Sequence, residues 1–161
     1  MKRVLTPLKD CFQTAREIKN IVNRFYSDLN IILYKRGASG QSQAIAKMTL
    51  QEYFNFIKNI PFKPDNKPVE YVARPYYLMK RNIGGLDCKK KTIMIASFLK
   101  LHGIPFQLIG SSIRPDKNIH HIFTRARIRG RWRTVDATYP ENRLFQNKRN
   151  TAEVVFYDTT K

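Results

Sequence analysis

Cys88 is the residue with the clearest chemical potential, because of where it falls. Gly84-Gly85-Leu86-Asp87 breaks the chain just before it, and the apolar spacing after it predicts a helix. A cysteine at a helix start meets unpaired backbone N–H groups and the positive end of the helix dipole, and both favour thiolate over thiol. Lys89, Lys90 and Lys91 follow directly. They oppose the dipole of a helix start and cost stability there, yet they would add positive potential around a sulfur. The competing reading makes Cys88 a small core residue and turns the three lysines to solvent.

A cysteine nucleophile needs a base, and the base needs an orienting group. Residues 121–128 and 131–136 read as two strands joined at Arg129-Gly130. Closing that hairpin sets residue 128 opposite 131, which puts His121 opposite Thr138 and diagonal to Asp136. Side chains alternate along a strand, so His121 and Asp136 share a face within hydrogen-bond reach. Asp136 would then fix the imidazole and stabilise its charged form, leaving the other ring nitrogen for Cys88. His120 takes the opposite face, and His102, at a helix end, suits the dipole there. Other chemistries are poorly served. Adjacent His120 and His121 on a strand cannot both reach one metal, and no Cys-x-x-Cys occurs, so a zinc site is not expected. There is no phosphate loop and no Gly-x-Ser-x-Gly elbow. Glu17, Glu52, Glu70, Glu141 and Glu153 are scattered, with no pair suited to glycoside hydrolysis. No cofactor is implied.

The elements that must position these residues follow from periodicity and turn chemistry. Thr6-Pro7 reads as an N-cap and first helical position. Leu8, Phe12, Ala15, Ile18, Val22, Phe25, Leu29 and Ile32 then recur at helical steps. They predict one amphipathic helix of about seven turns ending near Gly37. Residues 37–42 read as a loop. Thr49 and Glu52 have capping-box spacing and open a helix that stops before Pro61. Residues 61–68 form an irregular, proline-rich connector. The helix from Cys88 carries Ile95, Leu99 and His102 on its buried side and stops at Gly103, with Pro105 beyond. Phe106–Gly110 and Val154–Tyr157 are further strands. Helices first and a sheet last predict an α+β fold with largely antiparallel pairing. We read residues 1–161 as one domain, with a helical region over 1–60 ahead of a core over 69–157.

The chain has 161 residues, and 30 Lys and Arg face 12 Asp and Glu, for a net charge of +18. With 42% hydrophobic residues it is too apolar for a disordered basic arm. A surface of this charge attracts polyanions such as nucleic acid or anionic headgroups. Arg125, Arg127, Arg129, Arg131 and Arg133 recur at every second position, which predicts a row on one strand face suited to a phosphate backbone. Two cysteines, Cys11 and Cys88, make no disulfide framework, and a reducing compartment is the simpler expectation. Met1–Pro7 has no apolar segment behind it, and no uncharged apolar run approaches the ~18 residues of a membrane helix. The expectation is a soluble protein without signal peptide or transmembrane segment.

Several of these segments together resemble a known family. Gly85-Leu86-Asp87-Cys88, then Leu99-Lys100-Leu101-His102-Gly103-Ile104-Pro105, is similar to the first half of the transglutaminase-like core. His121-Ile122-Phe123, Gly130-Arg131-Trp132 and Val135-Asp136-Ala137-Thr138 are similar to its second half. The approach Val69-Glu70-Tyr71-Val72-Ala73-Arg74-Pro75 resembles small bacterial and phage members. The resemblance covers roughly residues 69–140. It implies a papain-like arrangement with Cys88 as nucleophile, His121 as base and Asp136 as orienting group, and no cofactor. It further implies thiol-dependent acyl transfer at an amide, with hydrolysis of a peptide or isopeptide bond in a protein or peptide substrate as first choice. The oxyanion donors would be the Cys88 N–H together with Tyr76 or Tyr77. Where relatives carry acidic residues after the Cys, this chain has three lysines, and Phe123 stands where Trp is commoner. The alternative is a non-catalytic, basic structural or nucleic-acid-binding protein on the same fold. By charge and resemblance, the expected location is cytoplasmic or within a phage virion.

Overall fold

The computed structural model describes residues 10–65, 71–80 and 84–161. Helix α1 (Cys11–Phe25) starts at Asp10, whose carboxylate accepts the Gln13 N–H at 2.7 Å. The Thr6-Pro7 start and Leu8 lie outside the described residues. Ala15, Ile18, Ile21 and Val22 are buried as the helical period requires. Phe12 departs from that pattern: it is 63% exposed and meets the ring of Phe156 edge-on.

The helix ends at Phe25, well short of Gly37. A 3-10 turn (Tyr26–Asn30) follows, and then a small antiparallel hairpin of β1 (Leu33–Arg36) and β2 (Gln41–Ala44), with the glycine-rich stretch as its turn. Apolar steps of three and four persist across this break because Leu29 and Ile32 are buried from non-helical positions. Asp28 fixes the change of course. Its buried carboxylate accepts Arg74 Nε at 2.8 Å, pairs with Arg74 Nη2, and accepts the Tyr76 N–H at 3.0 Å.

Helix α2 (Leu50–Lys58) opens with the expected capping box. Thr49 Oγ1 accepts the Glu52 N–H at 3.2 Å, and Glu52 Oε2 accepts the Thr49 N–H at 2.8 Å. A short helix α3 (Pro75–Lys80) precedes α4 (Cys88–Leu101). Four strands complete the chain: β3 (Phe106–Ser112), β4 (His121–Ile128), β5 (Arg131–Val135) and β6 (Ala152–Asp158). They form one antiparallel sheet in the order β5-β4-β3-β6. The fold is α+β, with helices and antiparallel sheets.

Helix α4 packs against α1, α2, α3 and the 3-10 turn, and it lies on β3 and β4 of the sheet. Ile93, Met94, Ile95, Phe98 and Leu99 are buried in consequence, each contributing roughly 1.5–3 kcal/mol relative to exposure. Tyr53 of α2 stacks on Phe98 at 4.2 Å and donates its hydroxyl to Met94 O at 2.9 Å. Thr92 donates its hydroxyl to Ile122 O at 3.0 Å and so ties α4 to β4. No helix among the described residues is long and apolar enough to cross a membrane.

Gly85 lets the chain reach the start of α4. Its φ is +142°, and a Cβ there would lie 2.3 Å from Pro61 O. The close approach permits Leu86 N–H to donate to Pro61 O at 2.9 Å, so the connector after α2 is stitched to the segment before Cys88.

The hairpin register corrects the expected arginine row. Arg127 pairs with Trp132, Ile128 with Arg131, and Ala126 with Arg133. Paired residues share a face. Arg125 and Arg127 therefore lie on one face, and Arg131 and Arg133 on the other. The two-residue turn at Arg129-Gly130 inverts the alternation, which a count by twos along the sequence misses.

Candidate active site

Cys88 is the first residue of α4, and Asp87 is its N-cap, accepting the Lys90 N–H at 3.0 Å. Asp87 also draws in the lysines that follow. Lys89 Nζ lies 3.0 Å from Asp87 Oδ2, and Lys90 Nζ lies 3.4 Å from the same oxygen and pairs with Asp65. Lys91 is 1% exposed and donates to three carbonyls: Lys58 O at 3.2 Å, Ile60 O at 2.5 Å and Thr138 O at 3.0 Å. Burial lowers its pKa to about 8, against the attraction of Asp136. The three lysines thus neither face solvent nor stand as open positive charge beside the sulfur. Their positions at the helix start are stabilised by acids and carbonyls.

His121 opens β4, and Asp136 follows the last residue of β5. His121 Nε2 donates to Asp136 Oδ2 at 2.7 Å. Nε2 is held by Asp136, so Nδ1 is the nitrogen left for the sulfur of Cys88, which acts electrostatically on the same imidazole. The ring is flanked by Phe123 at 5.7 Å and Tyr139 at 6.3 Å, both nearly parallel to it. Burial disfavours the imidazolium. The hydrogen bonds and charges of Asp136 and Cys88 outweigh it and push the His121 pKa up to about 9.

Asp136 is buried and well held. Its Oδ1 accepts the Thr138 N–H at 3.0 Å, its backbone oxygen accepts Asn142 Nδ2 at 3.0 Å, and Lys148 Nζ lies 2.5 Å from Oδ2. Burial raises a carboxyl pKa, but the hydrogen bond and charge of His121, followed by Lys148, hold this one well below the usual carboxylate range. Asp136 is therefore an anion throughout the neutral range and pairs with a protonated His121.

Tyr139, Lys148 and Asn142 surround this cluster without any sequence signal having singled them out, and Lys91 joins it through Thr138 O rather than as free charge beside the sulfur. Tyr139 is 37% exposed, packs on Phe62 at 5.2 Å, and has its pKa raised by burial and then by the charges of Cys88 and Asp136. It lies three residues beyond Asp136, so following the chain past β5 would have found it. Lys148 sits in an irregular segment with no pattern to mark it. His120 is exposed, with Nδ1 3.0 Å from Asn118 O, and His102 Nε2 lies 2.8 Å from Ala46 O; neither joins the cluster. Tyr76 and Tyr77 lie on α3, where Tyr76 packs on the core and meets Lys80. Val69 and Glu70 of the approach segment lie outside the described residues.

No protein-family model matches the chain, and no curated protein matches it. One solved structure that it resembles is a protein from Cytophaga hutchinsonii, provisionally described as a cysteine protease. The TM-score is 0.43 and the identity 14%, over 92% of this chain and 45% of that one. The chain thus spans under half the length of that neighbour. At this similarity the comparison carries no functional weight, and the chemistry rests on the site itself.

Proposed function

We propose that the protein is a thiol-dependent acyl-transfer enzyme of transglutaminase-like, papain-like architecture that hydrolyses a peptide or isopeptide bond. One observation carries this reading: a half-buried imidazole is hydrogen-bonded to an anionic carboxylate and feels the charge of a cysteine that opens a helix. Asp136 stabilises the imidazolium and orients the ring, which is the role of the acid in a nucleophile–base–orienter set. His121, held as an imidazolium by Asp136, has its other ring nitrogen left for Cys88, so sulfur and imidazole act as a pair.

In the acylation step the Cys88 sulfur attacks the amide carbon. The C–N bond breaks, and His121 gives its proton to the departing amine, leaving a thioester on Cys88. In the second step His121 takes a proton from water as that water attacks the thioester. The carboxylic acid leaves, and the sulfur–imidazolium pair is restored. The Cys88 N–H, at the first helical position, has no partner within its own helix and is available to the oxyanion. An amine in place of water would give a cross-link by the same two steps.

The test is a mass-spectrometric trap with an activated peptide ester and an acid quench. Acyl adduct on the peptide containing Cys88, absent from His121→Ala, supports the reading. Adduct spread equally over Cys88 and Cys11, or unchanged in His121→Ala, overturns it.

A further inference from the structure

The β4–β5 hairpin has a second end, remote from the cysteine. His121 and Asp136 sit at its base, and seven residue steps along β4 lead from His121 to Ile128 at its tip, roughly 23 Å at a strand's rise. β3 accompanies β4 only as far as the Phe106–Ala126 pair, and Pro105 O accepts the Arg127 N–H just past it. The pairs Arg127–Trp132 and Ile128–Arg131 therefore run on as a two-stranded ribbon, with no third strand beside them among the described residues.

That ribbon is lined with arginine. Arg127, Arg129, Arg131 and Arg133 are all exposed, and among the described residues none of their guanidiniums forms an ion pair or hydrogen bond. Arg125, one step nearer the base, is bound to Glu153 through its Nη2, at 2.6 Å and 2.7 Å from the two carboxylate oxygens. The change from paired to unpaired arginine falls where the third strand stops. Arg129 is also strained: its φ is +49°, in a turn position that glycine, asparagine or aspartate fills without penalty. Charge that only guards an edge against pairing belongs beside unpaired backbone groups. The Arg127 N–H is already taken by Pro105 O, and Arg129 lies in the turn.

We propose that this hairpin tip is a nucleic-acid-binding element that enters a groove of a duplex. The arginines lie on both faces of the ribbon, Arg127 on one and Arg131 and Arg133 on the other, with Arg129 at the end. A flat anionic surface such as a bilayer meets one face of a ribbon. A groove presents a phosphate row on each side, and the major groove admits a two-stranded ribbon. Contacts of this kind go to phosphates and carry no base sequence. Because the tip is distant from Cys88, a duplex bound there leaves the cysteine untouched, and this inference does not rest on the enzymatic reading.

The experiment measures anisotropy of a labelled 20-base-pair DNA duplex between 50 and 200 mM NaCl. The R127Q/R131Q/R133Q protein is compared with R16Q/K35Q/K47Q, which loses the same charge at exposed sites elsewhere. The tip variant is expected to bind at least about tenfold more weakly and to lose about three from the slope of log affinity against log salt, while the control loses at most about threefold. Arg129→Gly is a second probe, since it relieves the positive φ: it should raise the melting temperature and still weaken binding about two- to fivefold. Equal losses in tip and control variants, or wild-type affinity in the tip variant, overturn the proposal. So does binding of phosphatidylglycerol vesicles, but not duplex, through the same arginines. Acylation of Cys88 in the tip variant should be unchanged, so this result and the fate of the enzymatic reading are separable.

Discussion

At the base of the β4–β5 hairpin, charge is buried and matched; at its tip, charge is exposed and unmatched. Asp136 meets His121, Lys148 and the Thr138 N–H, and the lysines beside Cys88 are tied to Asp65, Asp87 and a set of carbonyls. The chain has 12 acidic residues against 30 basic ones. Asp65, Asp87 and Asp136 are committed around the cysteine helix, Asp28 to Arg74, and Glu153 to Arg125, the last arginine before the ribbon. Buried charges need partners because isolated burial is costly, whereas exposed guanidiniums remain hydrated. The same composition thus yields a preorganised site in one place and an open polycation in the other.

The contrast can be broken most severely at the base. His121→Ala should lower amide or ester turnover by about 10²–10⁴-fold, as expected for a positioned proton-transfer group, and Asp136→Asn should fall toward the low end of that range. Arg133→Gln at the tip should leave turnover within about twofold, and steady-state kinetics on the three proteins checks the ordering. Next in size is Lys91→Met, which leaves three carbonyls without their cation. It should destabilise the fold by about 2–4 kcal/mol in urea denaturation, and lower turnover by loosening the Thr138 segment that bonds Asp136.

A smaller effect separates the two ends by pH. His121 holds its proton more tightly folded than unfolded, with its pKa raised from 6.5 to about 9. Its stabilising contribution is therefore whole below about pH 6.5 and is lost as pH rises through about 9. Turnover should fall over that same upper limb as the imidazolium is lost. His121→Gln should flatten the stability profile between pH 6.5 and 9, whereas the tip arginines, charged throughout, should leave its shape unchanged. A profile equally steep in His121→Gln would show that other groups set it.

Much of the site was legible because it depends on local rules. A chain break at Gly84-Gly85-Leu86-Asp87 and a two-residue turn at Arg129-Gly130 place the start of α4 and the hairpin register, and the register brings His121 to Asp136. What escaped depends on contacts distant in sequence. Apolar periodicity ran on past Phe25 because Leu29 and Ile32 are buried whatever their backbone. The partner that turns the chain there, Arg74, lies 46 residues from Asp28. Three consecutive lysines gave no hint that one reaches carbonyls on α2 and beyond β5. Lys148 reaches Asp136 from a segment with no periodicity at all. The arginine row, by contrast, is split between two faces by the turn at Arg129-Gly130, a signal present in the sequence itself.

The most direct measurement of the central claim is the rate of iodoacetamide alkylation at Cys88, with Cys11 as internal reference, at pH 6 in wild type and His121→Ala. If His121 serves Cys88, that cysteine reacts roughly tenfold or more faster than Cys11 in the wild type and loses the advantage in the variant. Equal rates at the two cysteines, or a Cys88 rate indifferent to His121→Ala, would contradict the pairing of sulfur and imidazole.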